Sequence, residues 1–180
     1  MKKILFSEEQ KFTQSWIAIL LYVMVVFNIA LFGYGFTQQI ILGKSWGNTP
    51  MSDTGLIITF LIVLAIFTGL IILFHRAVLK TSITTDEILY KFPPFFFKEK
   101  IIPANEIENI TVRKYNPILE YGGWGIRSGF GKGKAYNVKG NTGIQLHLKN
   151  GKKILIGTQK KDQAEWAIRK LLQSNTNDDS

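Results

Sequence analysis

The segment Asn116–Gly140 holds the residues whose types and spacing come closest to a chemistry. It carries Gly122, Gly123, Gly125, Gly129, Gly131 and Gly133 together with Arg127, Lys132 and Lys134. Glycine-rich backbone beside cations can cradle a phosphate, because bare N–H groups and positive charge converge on one anion. The defined phosphate motifs fail, however. A P-loop needs Gly-x-x-x-x-Gly-Lys-Ser/Thr, whereas Gly133-Lys134 is followed by Ala135 and Ser128 stands where the first glycine belongs. No Gly-x-Gly-x-x-Gly fits, so nucleotide binding is not expected. Two readings remain. One is an irregular inter-strand loop in which glycines take positive φ and Trp124 packs as an anchor. The other is a surface where Arg127, Lys132 and Lys134, with Trp124, meet anionic lipid headgroups or a protein partner.

Enzyme chemistry finds little support. The chain has no cysteine, which removes disulfides, thiolate metal sites and thiol nucleophiles. His75 and His147 are the only imidazoles, and no carboxylate cluster accompanies either. Glu106 and Glu108 flank an expected turn. We therefore expect no catalytic residues, no metal site and no cofactor. The net charge of +9 invites nucleic acid, but Lys and Arg are scattered among acids, and no nucleic-acid partner is expected.

The elements that position these residues divide into two kinds. Trp16–Phe36 and Gly55–Phe74 are continuous apolar runs without Asp, Glu, Lys, Arg or His. Each is long enough to cross the ~30 Å hydrocarbon core as a helix. Lys2, Lys3 and Lys11 precede the first run, and Arg76, Lys80 and Lys91 follow the second; the connection Thr37–Thr54 has only Lys44. Positive residues stay inside, so both termini are expected in the cytoplasm and the protein in the inner (plasma) membrane. The first run exceeds the ~7–15 residues of a signal-peptide core. Asn28 lies mid-span and is expected to bond across to Thr59 or Thr68, with Ala65-x-x-x-Gly69 as a small-residue face. Ser7-Glu8-Glu9-Gln10 reads as a capping box opening a short surface helix, with Phe6 and Phe12 against headgroups.

From Leu79 onward the period is that of short strands. Leu79–Thr84, Ile88–Phe92, Lys98–Pro103 and Ile107–Tyr115 are expected strands, with Phe95–Phe97 as core. Ile144, Leu146 and Leu148 alternate with Gln145, His147 and Lys149, then Asn150-Gly151 supplies a type I′ turn before Ile154 and Ile156. Lys160–Gln173 reads as a helix burying Ala164, Ala167, Ile168, Leu171 and Leu172, with Trp166 opposite. Asn175–Ser180 reads as a disordered tail.

Strands followed by one amphipathic helix resemble the pleckstrin-homology (PH)-like architecture. The order of short motifs is similar to bacterial PH-like (bPH) domain membrane proteins with two N-terminal membrane helices. The motifs are Glu9-Gln10-Lys11-Phe12, Ile83–Ile88, Ile102-Pro103 with Glu106-Ile107, Gly122–Arg127, Gly143–Leu148, Asn150-Gly151-Lys152 and Ile156-Gly157-Thr158. The resemblance implies an α+β protein: a transmembrane hairpin within residues 1–78, then a bent antiparallel sheet or barrel over 79–174 capped by a C-terminal helix. It also implies an interaction module, a scaffold or lipid-surface element in a membrane assembly. The alternative is an accessory subunit or small oligomer of a transport system. Partners would be the bilayer, anionic headgroups, membrane proteins or further copies. Phosphoinositide-binding PH domains carry cations around the first strand turn; Thr85-Asp86-Glu87 is acidic, which argues against that ligand.

Overall fold

The structure, a computed structural model, describes residues 3–12 and 15–178; Met1, Lys2, Thr13, Gln14, Asp179 and Ser180 lie outside them. The chain forms two compact units, one from residues 13–75 and one from the segments on either side.

In the first unit, α1 (Ser15–Phe36) and α2 (Asp53–Arg76) are two helices long and apolar enough to cross a membrane. A π-helical turn, Thr37–Ile41, extends α1. The helices run antiparallel: Phe32 and Phe36 meet Phe60, at 5.4 and 5.5 Å between ring centres, and Tyr22 lies against His75. Trp46 folds back over Gly35, where a Cβ would come within 2.8 Å of the indole. The expected polar and small-residue contacts are corrected here. The Thr59 hydroxyl donates to the Gly55 carbonyl in its own helix, and the buried Asn28 Oδ1 has no hydrogen-bond partner. Space is open around Gly69. The contacts between the two helices are ring contacts nearer their ends, between Phe32, Phe36 and Phe60 and between Tyr22 and His75.

The second unit contains two sheets. In the first, β1 (Ile4–Lys11), β2 (Val78–Thr84), β3 (Glu87–Phe92) and β4 (Phe96–Pro103) are adjacent in that order and antiparallel. The second has the order β5-β8-β9-β7-β6, from β5 (Ile107–Lys114), β6 (Gly125–Gly129), β7 (Gly133–Asn137), β8 (Thr142–Leu148) and β9 (Lys153–Gly157). Helix α4 (Lys161–Asp178) packs on β1 and β2 of one sheet and on β5 and β8 of the other. The core draws on all three: Leu79, Ile83, Ile88 and Phe92 from the first sheet, Ile144, Leu146 and Ile156 from the second, and Ala164, Ala167 and Leu171 from α4.

The largest correction concerns the N-terminal segment. Residues 4–11 are a strand, with Phe6, Glu8 and Gln10 all buried. Glu8 accepts from the Thr158 hydroxyl at 2.7 Å and the Gln159 N–H at 2.8 Å, and Gln10 Nε2 donates to the Gly157 carbonyl at 2.6 Å. These bonds join β1 to the corner between β9 and α4 and give Glu8 the partners that burial demands, while the Gln10 Oε1 has none. The compact β unit therefore begins with β1 and resumes at Arg76, not at residue 79.

Other differences are local. Phe96 packs on Tyr90 and Tyr136, and Phe95, in the turn before β4, is partly exposed but sets its ring edge-on against buried Phe92; only Phe97 faces outward on the edge strand. At the β8–β9 turn only Gly151 has positive φ, +77°; its N–H donates to the Leu148 carbonyl, and the Leu148 N–H donates to the Lys152 carbonyl. That is a three-residue loop ending in a left-handed glycine, not a type I′ turn. Leu172 is half exposed, and α4 continues to Asp178 across residues expected to be disordered.

Candidate functional site

The segment 116–140 is ordered rather than an irregular loop. Asn116 caps α3 (Pro117–Tyr121), its Oδ1 accepting from the Ile118 and Leu119 N–H groups, and Pro117 supplies the preset first-turn φ. Gly122, at φ +71°, ends the helix in the left-handed conformation. The chain then forms the hairpin β6–β7, and β7 joins the sheet parallel to β9 through Lys134↔Ile154, Ala135↔Leu155 and Tyr136↔Ile156.

Helix α3 covers the outer face of this sheet. Tyr115, Tyr121, Ala135 and Leu155 make a second small core beneath it, which is why Gln145, expected to face solvent, is buried. The Arg113 guanidinium makes a forked contact with Glu120, at 2.7 and 3.2 Å, and also donates to Gln145 Oε1. Hydrogen bonds from Arg113 hold the Glu120 carboxyl below its usual range, against the upward push of burial, and the Asn116 N–H adds to the lowering. The same contact raises the Arg113 pKa. Because the folded value of Glu120 lies below the unfolded one, its stabilising contribution is full above the ordinary carboxylate range. It is lost as pH falls through the depressed folded value. Acidification below the ordinary carboxylate pKa of about 4.3 should release α3 ahead of the sheets. Faster amide exchange over residues 117–121 checks this, and Glu120→Gln should show that fast exchange already at neutral pH.

The four expected site residues do not form one cluster. Trp124 anchors the loop, its indole N–H donating to the Gly140 carbonyl at 2.9 Å. Arg127 is exposed on β6 and donates through Nε to the Trp124 carbonyl at 3.0 Å. Lys134 pairs across the hairpin with Ser128, whereas Arg127 pairs with Ala135. Successive residues of a strand alternate faces, so Arg127 and Lys134 lie on opposite sides of the hairpin. Lys132 sits in the turn between them.

Two groupings emerge that the sequence alone did not assemble. Phe130 is fully exposed at the turn, between Gly129 and Gly131, and Ile118 and Leu119 are exposed on α3. The turn and α3 touch: a Cβ on Gly129 would lie 2.3 Å from the Glu120 carbonyl oxygen. Apolar side chains thus neighbour the exposed cations Arg127 and Lys132. Elsewhere on the hairpin, Lys134, Lys152 and Lys153 line one groove. Lys152 and Lys153 lie in the next hairpin, and only the parallel β7–β9 pairing brings them together with Lys134. Among the described residues, no group of His, Cys, Asp or Glu could hold a metal ion.

Set against family models, curated proteins and solved structures, the chain matches none.

Proposed function

We propose that this is a two-span membrane protein whose β unit is a PH-like interaction module, cytoplasmic with both termini, that meets an anionic lipid surface within a membrane assembly. The membrane reading rests on α1 and α2, and the orientation on the Lys and Arg that flank them. Two antiparallel-rich sheets with one C-terminal helix packed on both support the PH-like reading.

The observation that carries the lipid-surface role is the β6–β7 turn. A fully exposed phenylalanine with exposed Ile118 and Leu119 close by is costly in water, and singly charged neighbours of one sign, Arg127 and Lys132, complement an anionic bilayer. Each such cation contributes ~1 kcal/mol near the surface. No comparable feature favours a transport role, since the described parts of both apolar helices hold no charged side chain between residues 15 and 52 other than Lys44, and none between 54 and 74.

The lack of cysteine makes the test clean. Phe130→Cys, labelled with an environment-sensitive dye in the full chain, should shift to the blue in vesicles containing anionic lipid. The shift should shrink with added Arg127→Gln and Lys132→Gln. Identical spectra in neutral and anionic vesicles would sink the lipid-surface role.

A further inference from the structure

We infer that the groove between the β6–β7 hairpin and the β8–β9 turn is a binding site for a phosphate monoester. It is an open concavity of about 620 Å³, room for a phosphate and a small organic body. Lys134, Lys152 and Lys153 line it, and no carboxylate does. None of these three lysines forms an ion pair with an acid among the described residues, so their charge is uncommitted. Three lysines and no acid along one groove give it a positive potential, which favours a multiply charged anion such as a phosphate dianion.

The groove is built rather than incidental. Lys153 Nζ donates to the Gly131 carbonyl at 3.3 Å, which ties the two turns together across the opening. Gly133, at φ +81°, allows the strands to close, because a Cβ there would lie 2.1 Å from the Lys153 carbonyl oxygen. Ser128 offers a hydroxyl, while Tyr136 and Ile154 give an apolar floor for the organic part of the ligand. The Tyr136 hydroxyl accepts from Lys100 Nζ at 3.1 Å, which places a fourth cation behind that floor. Lys100 also lies 4.4 Å from the Phe96 ring centre, so the ring holds it in place. A dianion entering the groove meets lysines and no acid to repel it.

The ester could come from the membrane, as a headgroup, or from solution. The full chain in neutral detergent micelles, titrated by calorimetry, separates these sources. The probes are glycerol 3-phosphate and dioctanoyl phosphatidic acid, which carry the same phosphate monoester. Saturable binding of either is expected, weakened about tenfold to thirtyfold by Lys134→Gln with Lys152→Gln. Binding of the lipid alone identifies a headgroup site, and equal binding of both identifies a soluble ester. Phe130→Ser should leave the affinity unchanged, so failure of the lipid-surface role and failure of the groove are distinguishable. The proposal is overturned if neither probe binds wild type at millimolar concentration. It is equally overturned if the doubly substituted chain, melting like wild type, binds as tightly, or if Phe130→Ser rather than the lysine changes removes binding.

Discussion

A chain starting at Leu79 is expected not to fold, whereas residues 3–12 joined through a short Gly-Ser turn to residues 77–178 should give a soluble domain that melts cooperatively. The two ends to be joined are adjacent: the Phe12 N–H donates to the Ala77 carbonyl at 3.2 Å, and Lys11 pairs with Val78. A few residues suffice to bridge antiparallel neighbours at that separation. Removing β1 strips the buried Phe6 from the core, worth about 3 kcal/mol or more. It also takes the Glu8 carboxylate from the Thr158 hydroxyl and the Gln159 N–H, at about 1.5–3 kcal/mol for each hydrogen bond to a charged group. The full length of β2 becomes a bare edge as well. Small domains hold only about 5–15 kcal/mol in total, so these losses together are enough to abolish folding. Circular dichroism melting of the two chains decides the matter. Equal cooperative transitions would show that β1 is dispensable.

The second large effect is a contrast between two glycines of nearly equal φ. Gly133 at +81° and Gly151 at +77° both occupy left-handed backbone, which costs an L side chain roughly 1–2 kcal/mol. They differ in space. Nothing lies within 4 Å of a Cβ on Gly151, but on Gly133 that atom would press into the Lys153 backbone. Overpacking adds about 1–3 kcal/mol when the obstacle is backbone that cannot rotate away. Gly151→Ala should therefore destabilise by about 1–2 kcal/mol, and Gly133→Ala by about 2–5 kcal/mol. Chemical unfolding of the joined soluble chain measures both. Gly133→Ala should also abolish phosphate-ester binding by prising β7 from β9, while Gly151→Ala leaves it in place. Equal destabilisation by the two changes would mean that β7 and β9 are not closely apposed there.

What was legible in the sequence follows from which contacts are local. The two apolar helices were read from composition over consecutive residues, and α4 from a stripe with one period. The β8–β9 hairpin was also legible, because Ile144, Leu146, Ile154 and Ile156 alternate beside a glycine turn; only the turn type differed. β1 was hidden because two of its three inward positions are polar. Glu8 and Gln10 find partners at Gly157, Thr158 and Gln159, near the far end of the chain, and the same residues locally imitate a capping box. The strands β6 and β7 were hidden because neither Gly-Ile-Arg-Ser-Gly nor Gly-Lys-Ala-Tyr-Asn alternates apolar with polar residues. Their pairing depends on a parallel neighbour, and neighbours of that kind leave no adjacent turn signal. Of the candidate site, Arg127, Lys132, Lys134 and Trp124 were visible as a cluster in sequence. That the hairpin splits Arg127 from Lys134 and gives Lys134 two new lysine neighbours required the register of three strands.

The Phe12–Ala77 junction also bears on how the protein is made. The first strand to leave the ribosome finds its partner only after the hairpin has been synthesised, so sheet closure waits on both helices. On the proposed two-span reading, both helices must be threaded for the two strands to emerge on one side, where they can zip together. A chain with one helix threaded would leave β1 and β2 on opposite sides of the bilayer, with a raw edge on β2 and an empty pocket where Phe6 packs. Completion of the sheet would then report correct insertion.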